Sequence, residues 1–422
     1  MTATHILSGA AIALTLAGAA GAQELRFACY QDGVECEAWS EQLKAFEAEN
    51  AGITVAVDIV PYQSITEGLP VQLAVGEGPD LARVTDFGGL APFLLDVRPH
   101  VSDPEAIEAR YGPSLAWARV GGNSPEGIYN IVDQLTLTGG FANRTLFEQA
   151  GVEMPAPGST WEQWAEASRE VRDAVGVDFA MAIDRTGHRF AAPAISYGAA
   201  YFDEAGEPIV VDEGFRAFAE QFLAWHEDET LAGDVWAGAG GGTYQDASAE
   251  FTNANLVFYY SGSWQIARFG RDIADAFDWA ATGPVCGPAA CTGVPGGAGI
   301  VGLKRTQHPE AVGKVLDFMA RDDVQAAVLA QTKNLPANAV LQEQGIEYAD
   351  ASPQVTEALA VFADSIDDIS PTAFALQGYR NNRAIYTATP ARITQAIVGE
   401  LSLDEALERL DADVAEAVAA SK

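Results

Sequence analysis

Two short stretches gather basic side chains in a chain otherwise dominated by carboxylates. Asp184-Arg185-Thr186-Gly187-His188-Arg189 carries three basic groups, and Gly378-Tyr379-Arg380-Asn381-Asn382-Arg383 carries two more. A guanidinium offers a planar fork of N–H donors that matches a carboxylate or phosphate bidentately. Arg185, His188, Arg189, Tyr379, Arg380, Asn381 and Arg383 are therefore candidate contacts for an anionic group. Their competing role is pairing with the protein's own Asp and Glu, where solvated pairs contribute little. Arg83 and Asp86, within Ala82-Arg83-Val84-Thr85-Asp86, could face these clusters, and Gln134 and Thr136 are weaker polar candidates. A catalytic centre finds less support. With 59 acidic residues, a pair of carboxylates is diagnostic of nothing. Beyond residue 22 the histidines are His100, His188, His226 and His308, none in an H-E-x-x-H pattern, and there is no G-x-S-x-G elbow.

The elements that must position these groups alternate in type. Leu25–Ala28 reads as a strand, Glu37–Glu49 as a helix with Trp39, Leu43 and Phe46 on one face, and Ile53–Ile59 as a second strand. A helix over about Ser64–Val75 follows, then the breaker Gly76-Glu77-Gly78-Pro79 and a short strand at Asp80–Val84. Such alternation predicts an α/β fold with a largely parallel sheet, whose ligands sit at the carboxyl ends of the strands. Cys29–Asp32, Val60–Gln63 and Thr85–Gly89 are then near any site, which brings forward Tyr30, Gln31, Asp32 and Tyr62. Further on, Thr160 caps a helix through Trp161, Trp164 and Val171. Phe215, Phe218, Phe222 and Trp225 form one buried stripe of a helix over Gly214–Glu227. Asn255–Tyr260 reads as a strand running into Ser261-Gly262-Ser263-Trp264. The last third is mostly helical, over Pro309–Gln331, Pro353–Asp367, Asn381–Val398 and Leu403–Ala420. The glycine cluster Gly238–Gly242 lacks dinucleotide or P-loop spacing and reads as a loop, so no motif calls for a cofactor or metal.

At 422 residues and 48% hydrophobic content, the chain is long enough for two domains. Its formal net charge is −35, and a field of that sign argues against nucleic acid or an anionic membrane as partner. Ile6–Ala20 is an apolar, small-residue run, and Ala20-Gly21-Ala22 reads as a cleavage site before Gln23, although the start lacks Lys and Arg. Residues 1–22 are expected to be an export signal, with a core helix as the alternative. After export to an oxidising compartment, Cys29 with Cys36 and Cys286 with Cys291 are expected to form two short-range disulfides. Zinc ligation is the rival for these four residues, and neither pair has C-x-x-C spacing.

Several motifs occur in one order along the chain. They are Gly76-Glu77-Gly78-Pro79-Asp80-Leu81, then Gly127-Ile128-Tyr129 with Asn143-Arg144-Thr145-Leu146-Phe147, then Gly151-Val152 with Pro155 and Thr160-Trp161-Glu162-Gln163-Trp164. Phe251-Thr252-Asn253-Ala254 leading to Gly262-Ser263-Trp264 follows, and Gly296-Gly297-Ala298-Gly299, His308-Pro309-Glu310-Ala311 and Asn334-Leu335-Pro336-Ala337 close the series. Together they resemble the family-1 extracellular solute-binding proteins of carbohydrate ABC importers, with Ala254 where that family usually has Gly.

The resemblance implies a two-lobed periplasmic-binding-protein fold of the type II, Venus-flytrap kind. Its ligand cleft lies between an N-terminal lobe (23–135 plus 299–337) and a C-terminal lobe (140–296 plus 340–422). Crossings between the lobes are expected near Leu135–Phe141, Pro295–Ile300 and Leu335–Val340. It further implies a monomeric periplasmic receptor, with a carbohydrate ligand and a membrane permease as partners. Trp264 is the first aromatic candidate for stacking a sugar, core packing being its alternative; Tyr30 and Tyr62 join it, and Gly297 is a further candidate ligand contact. Cys29-Tyr30-Gln31-Asp32-Gly33 and the two Arg clusters also resemble receptors for digalacturonate, which points to a uronic-acid oligosaccharide. Neutral sugars, polyols and glycerol phosphate remain open as ligands, and a secreted glycan-degrading enzyme is the rival class.

Overall fold

The computed structural model describes residues 23–238 and 244–421, so the expected leader and most of the Gly238–Gly242 loop lie outside the described residues. Among the described residues there are ten strands: β1 Gln23–Cys29, β2 Ile53–Ile59, β3 Leu81–Val84, β4 Ile131–Asn143, β5 Phe179–Ile183, β6 Tyr201–Phe202, β7 Pro208–Ile209, β8 Leu256–Gly262, β9 Trp279–Gly283 and β10 Pro295–Gly302. Eight of them join in the order β2-β1-β3-β10-β4-β8-β5, with β9 also on β4, while β6 and β7 form a separate small hairpin. The sequence predicts a largely parallel sheet; the observed one is mixed. Pairs β1/β2, β1/β3 and β5/β8 are parallel, whereas β10 and β4 run antiparallel to their neighbours. The reason is topological. β10 and β4 are return segments between the two halves, which a sequence period cannot reveal.

β4 is the spine. All 13 of its residues are buried, its first half pairs with β10, and its second half pairs with β8 and β9. It thereby passes from one half of the fold to the other, as β10 does on the other side. Leu335 adds a third connection, accepting a hydrogen bond from the Leu135 N–H at 2.9 Å. The three segments expected to cross are thus side by side. The last helices close the same seam. Phe374 of the helix Pro371–Gly378 lies 5.9 Å from Trp117 in the first half, while Tyr379 lies 5.2 Å from Phe202 in the second. No described helix is long and apolar enough to cross a membrane.

Local signals account for most helices. Thr160 and Gln163 make a reciprocal capping box before Trp161–Val175, as do Ser402 and Glu405 before Leu403–Ala420. Phe215, Phe218, Phe222 and Trp225 are buried along one face of Glu213–Glu227. The helix expected over Pro309–Gln331 is two helices, Pro309–Met319 and Asp322–Thr332. Arg321 adopts an extended conformation between them, with Asp322 and Asp323 opening the second helix. Ser64–Val75 divides likewise, into a π-turn at Ser64–Gly68 and an α-helix at Leu69–Ala74. Cys29–Cys36 and Cys286–Cys291 are both disulfide-bonded.

Beneath the seam lies a buried ion pair. Arg83 on β3 donates through Nε to Asp133 Oδ2 of β4 at 2.9 Å, and both side chains are essentially inaccessible. Burial pushes the Asp133 carboxyl up, while the Arg83 charge and the Trp39 Nε1–H, 2.8 Å away, pull it down. Removing one partner of such a pair strands the other charge. Arg83→Met is expected to cost about 3–5 kcal/mol in urea unfolding, and Arg83→Met with Asp133→Leu to recover most of that loss. A single-variant loss below about 1 kcal/mol would show that the pair is dispensable.

Candidate functional site

A cleft of about 810 Å³ opens over β4 and β10 at the seam between the halves. Gln134, Thr136 and Gly296–Ala298 form its floor. A Cβ on Gly297 would come within 2.6 Å of the Gln134 carbonyl, so the close approach of β10 to β4 requires glycine there. One wall is built from the carboxyl ends of β1, β2 and β3: Tyr30 and Asp32, then Tyr62 and Gln63, then Thr85 and Asp86, with Thr66 and Glu67 at its edge. The opposite wall follows β5 and β8, with Thr186, His188, Arg189 and Trp264, joined by Tyr244. The helix Asn382–Ile397 adds Asn382, Arg383, Tyr386 and Thr387, and Gln377 precedes it.

The first wall is held from below. Arg83 donates to the Tyr30 carbonyl at 3.0 Å and to the Gln134 side chain, while its guanidinium carbon lies 4.7 Å from the Tyr30 ring centroid. Gln134 donates in turn to Asn334 at 3.0 Å, and Asn334 donates to Glu35 at 3.1 Å. Glu35 accepts the backbone N–H groups of Asp32 and Gly33. The loop between Cys29 and Cys36 is consequently fixed at both ends by the disulfide and in its middle by hydrogen bonds. Tyr30 is buried and packs 4.8 Å from the more exposed Tyr62, whose hydroxyl meets Thr85 Oγ1 at 3.0 Å.

On the second wall the Arg189 guanidinium carbon lies 4.0 Å from the Trp264 ring centroid and 5.4 Å from that of Tyr244. Behind Arg189 sits Asp184, wholly buried, with Arg189 Nε 3.7 Å from its Oδ2. Asp184 accepts hydroxyl donors from Tyr259 at 2.5 Å, Ser261 at 2.6 Å and Tyr244 at 3.1 Å. Burial pushes its carboxyl up to about 6, against the pull of Arg189 and of these hydroxyls. Arg189 Nη1 lies 3.2 Å from His188 Nδ1, and His188 Nε2 lies 3.2 Å from the Pro295 carbonyl. A guanidinium can only donate and a carbonyl can only accept, so the imidazole carries its proton on Nε2. Burial, and then the Arg189 charge, hold His188 down at about 3, so it stays neutral.

Tyr30, Asp32, Tyr62, Asp86, Gln134, Thr136, His188, Arg189, Trp264, Gly297 and Arg383 line the cleft. The other candidates lie elsewhere. Gln31 turns back to Glu37 and the Cys36 N–H. Arg83 is buried beneath the wall, because Asp133 needs a charge partner there. Arg185 is fully buried and donates to the Trp236 and Gly238 carbonyls, since successive residues after β5 point to opposite sides. Tyr379 packs on Phe202, Arg380 lies against Gly88 and Gly121, and Asn381 sits at the start of the helix Asn382–Ile397 without a side-chain capping hydrogen bond. Trp264 is present but differs in its expected part. Arg189 covers one of its faces, and its six-membered ring crowds Gly262, where a Cβ would lie 2.1 Å away. Tyr62 and Tyr244, 36% and 42% exposed, are the accessible rings, one on each wall.

Some lining residues escaped the sequence. Gln63, Thr85 and Thr186 fall within stretches already singled out, but Tyr244 follows the glycine cluster with no period to mark it. Asn382 and Tyr386 share a helix face at a spacing of four, a signal that was available once Arg383 was placed.

Strand ends converging on an interlobe cleft define a two-lobed α/β periplasmic-binding-protein fold. The chain belongs to the bacterial extracellular solute-binding protein family, whose sequence profile residues 33–326 match. Solved structures of similar fold include an ABC substrate-binding protein from Listeria monocytogenes in complex with cycloalternan (20% identity, TM-score 0.79, covering 94% of this chain and 99% of that one). Maltose-bound MalE3 from T. maritima is 16% identical with a TM-score of 0.75, covering 93% of this chain and 99% of that one. The acarbose-binding GacH receptor of Streptomyces glaucescens is 18% identical with a TM-score of 0.75, covering 94% and 98%. A curated relative from Brucella abortus is 21% identical over 346 residues, spanning 79% of this chain and 80% of that one.

The His188 assignment can be tested directly. Nitrogen-edited NMR is expected to show a neutral ring protonated at Nε2 throughout pH 5–8. A titration midpoint between 6 and 7 would contradict burial of His188 between Arg189 and the Pro295 carbonyl.

Proposed function

We propose that this protein captures a carbohydrate in the periplasm for an ABC importer, closing its lobes on the sugar and presenting the closed form to the membrane permease. The observation that carries this reading is the composition of the cleft. Both walls supply hydroxyl and amide side chains, and each carries one accessible tyrosine ring. Sugar recognition needs that combination, with ring faces for the apolar side of the pyranose and polar groups for its hydroxyls. The sugar complexes of similar fold support it. Lobe boundaries of 23–135 plus 299–337 and 140–296 plus 340–422 fit the crossings, with the segment from Pro371 to Arg383 touching both. A monomer suffices, because one chain supplies both walls. His188 lines the cleft with both ring nitrogens already engaged, so it is not free to serve as a general base.

The finer reading is an acidic oligosaccharide such as digalacturonate. Arg189 and Arg383 face the cleft, and Arg189 is pre-oriented by Trp264, Asp184 and His188, which lowers the entropic cost of gripping a carboxylate. A neutral oligosaccharide is the second reading. Its support is the charge balance, since Asp32, Glu67 and Asp86 outnumber the two guanidiniums in the lining.

Thermal unfolding against digalacturonate, galacturonate, maltose and glycerol 3-phosphate separates these readings. A ligand specific for the folded state adds about 2.7 kcal/mol at a hundredfold excess over its dissociation constant. Stabilisation by the uronates, abolished in Arg189→Ala and retained in Arg380→Ala, is expected. Stabilisation by maltose alone would assign the cleft to neutral sugars, and stabilisation by none of them would remove these four ligands and leave the ligand class open.

A further inference from the structure

Asp32 stands out among the cleft's charged groups. It is half-buried in the wall, its backbone N–H is tied to Glu35, and its carboxyl oxygens make no hydrogen bond among the described residues. Asp86, by comparison, accepts the Gly89 N–H at 2.8 Å. The titratable groups that act electrostatically on Asp32 come from several elements. Tyr30 and Glu35 belong to its own loop and helix, and Arg83 to β3; Arg189, Tyr244 and Arg268 come from the second half. Arg268 is already engaged, donating to Ser248 Oγ at 2.8 Å with Asp246 3.7 Å away. Of the three guanidiniums in this set, Arg189 is the one that lines the cleft together with Asp32.

An acidic ligand that places its carboxylate on Arg189 brings a second negative charge into this space. The lining holds two guanidiniums and three carboxylates, so an ionised Asp32 would oppose such a ligand. We propose that Asp32 is the residue that sets the cleft's selectivity between neutral and acidic solutes, and that an anionic ligand enters the Arg189 subsite only together with a proton on Asp32. This inference rests on the acidic-oligosaccharide reading above. Desolvation, and then the Glu35 charge, push the Asp32 carboxyl up to about 6 against the pull of Arg83, Arg268 and Arg189, so a proton is available near neutrality. A carboxylate bound at Arg189 cancels part of that pull and raises Asp32 further. The ligand's own carboxyl, an ordinary acid, stays ionised. Affinity for the anion is accordingly level below pH 6 and falls as pH rises above it, with uptake of one proton. Once protonated, Asp32 becomes a donor that can hydrogen-bond the ligand it would otherwise repel.

Isothermal titration of the full mature protein with digalacturonate, at pH 5.5, 6.5 and 7.5 in two buffers of different ionisation enthalpy, tests this. Wild-type affinity is expected to fall by up to about tenfold per pH unit above 6, with buffer-dependent heats that report proton uptake. Asp32→Asn is expected to abolish that slope and the uptake, and to bind more tightly than wild type at pH 7.5. Its free-protein melting temperature should match that of wild type at pH 5.5 and equal or exceed it at pH 7.5, because a carboxyl whose pKa is raised by the fold destabilises the fold once ionised. An unchanged slope in Asp32→Asn would transfer the proton to another group, such as Asp184, and overturn the proposal. So would digalacturonate binding to wild type with no pH dependence, which leaves the acidic-ligand reading intact. Failure of wild type to bind digalacturonate at any of these pH values would remove both.

Discussion

The Arg83–Asp133 pair is the constraint on which the cleft depends. Two opposite charges taken out of water demand close partners on every side. Asp133 Oδ2 meets that demand through Trp39 and Arg83, and Arg83 meets its own through the Tyr30 carbonyl and Gln134 as well. Those partners are the floor and first wall of the cleft. Gln134 passes the order to Asn334 beside the third crossing segment, and Asn334 passes it to Glu35, which holds the Asp32 loop. Buried charge thus does what apolar packing alone could not: it fixes the orientation of polar side chains at the seam between the two lobes.

The second wall uses the same device in another place. Asp184 is as deeply buried as Asp133, and its hydroxyl donors come from β8 and from the segment leading to it. Arg189 is the member of that cluster that reaches the cleft, braced by Trp264 on one side and His188 on the other. Since His188 also donates to Pro295 at the start of β10, the wall is tied to a crossing strand. Closure of two such walls is favourable only when a ligand gains more contacts in the closed state than in the open one. In the function proposed for this chain, polar groups preset on both sides, with an accessible tyrosine on each, supply that difference.

Much of this was legible in the sequence because it is local. Strand and helix periods placed β1, β2, β3 and β8 within a few residues, and the rule that ligands gather at strand ends brought forward Tyr30, Asp32, Tyr62 and Asp86. The fold family followed from ordered motifs. What could not be read depends on long-range contact. Nothing local distinguishes Arg83, committed to Asp133, from Arg189, or Arg380, packed at Gly88, from Arg383. The mixed sheet has the same origin, for the direction of β10 is set by its return between lobes. Trp264 is instructive as well. Its place after β8 marks it for the cleft, but only the structure shows that Arg189 covers one of its faces.

The most direct measurement is a crystal structure of the protein with digalacturonate bound. Expected is a sugar in the cleft between the two lobes, ring faces against Tyr62 or Tyr244, and a carboxylate within hydrogen-bonding distance of Arg189. A ligand held by one lobe alone, or one whose carboxylates avoid both Arg189 and Arg383, would contradict it.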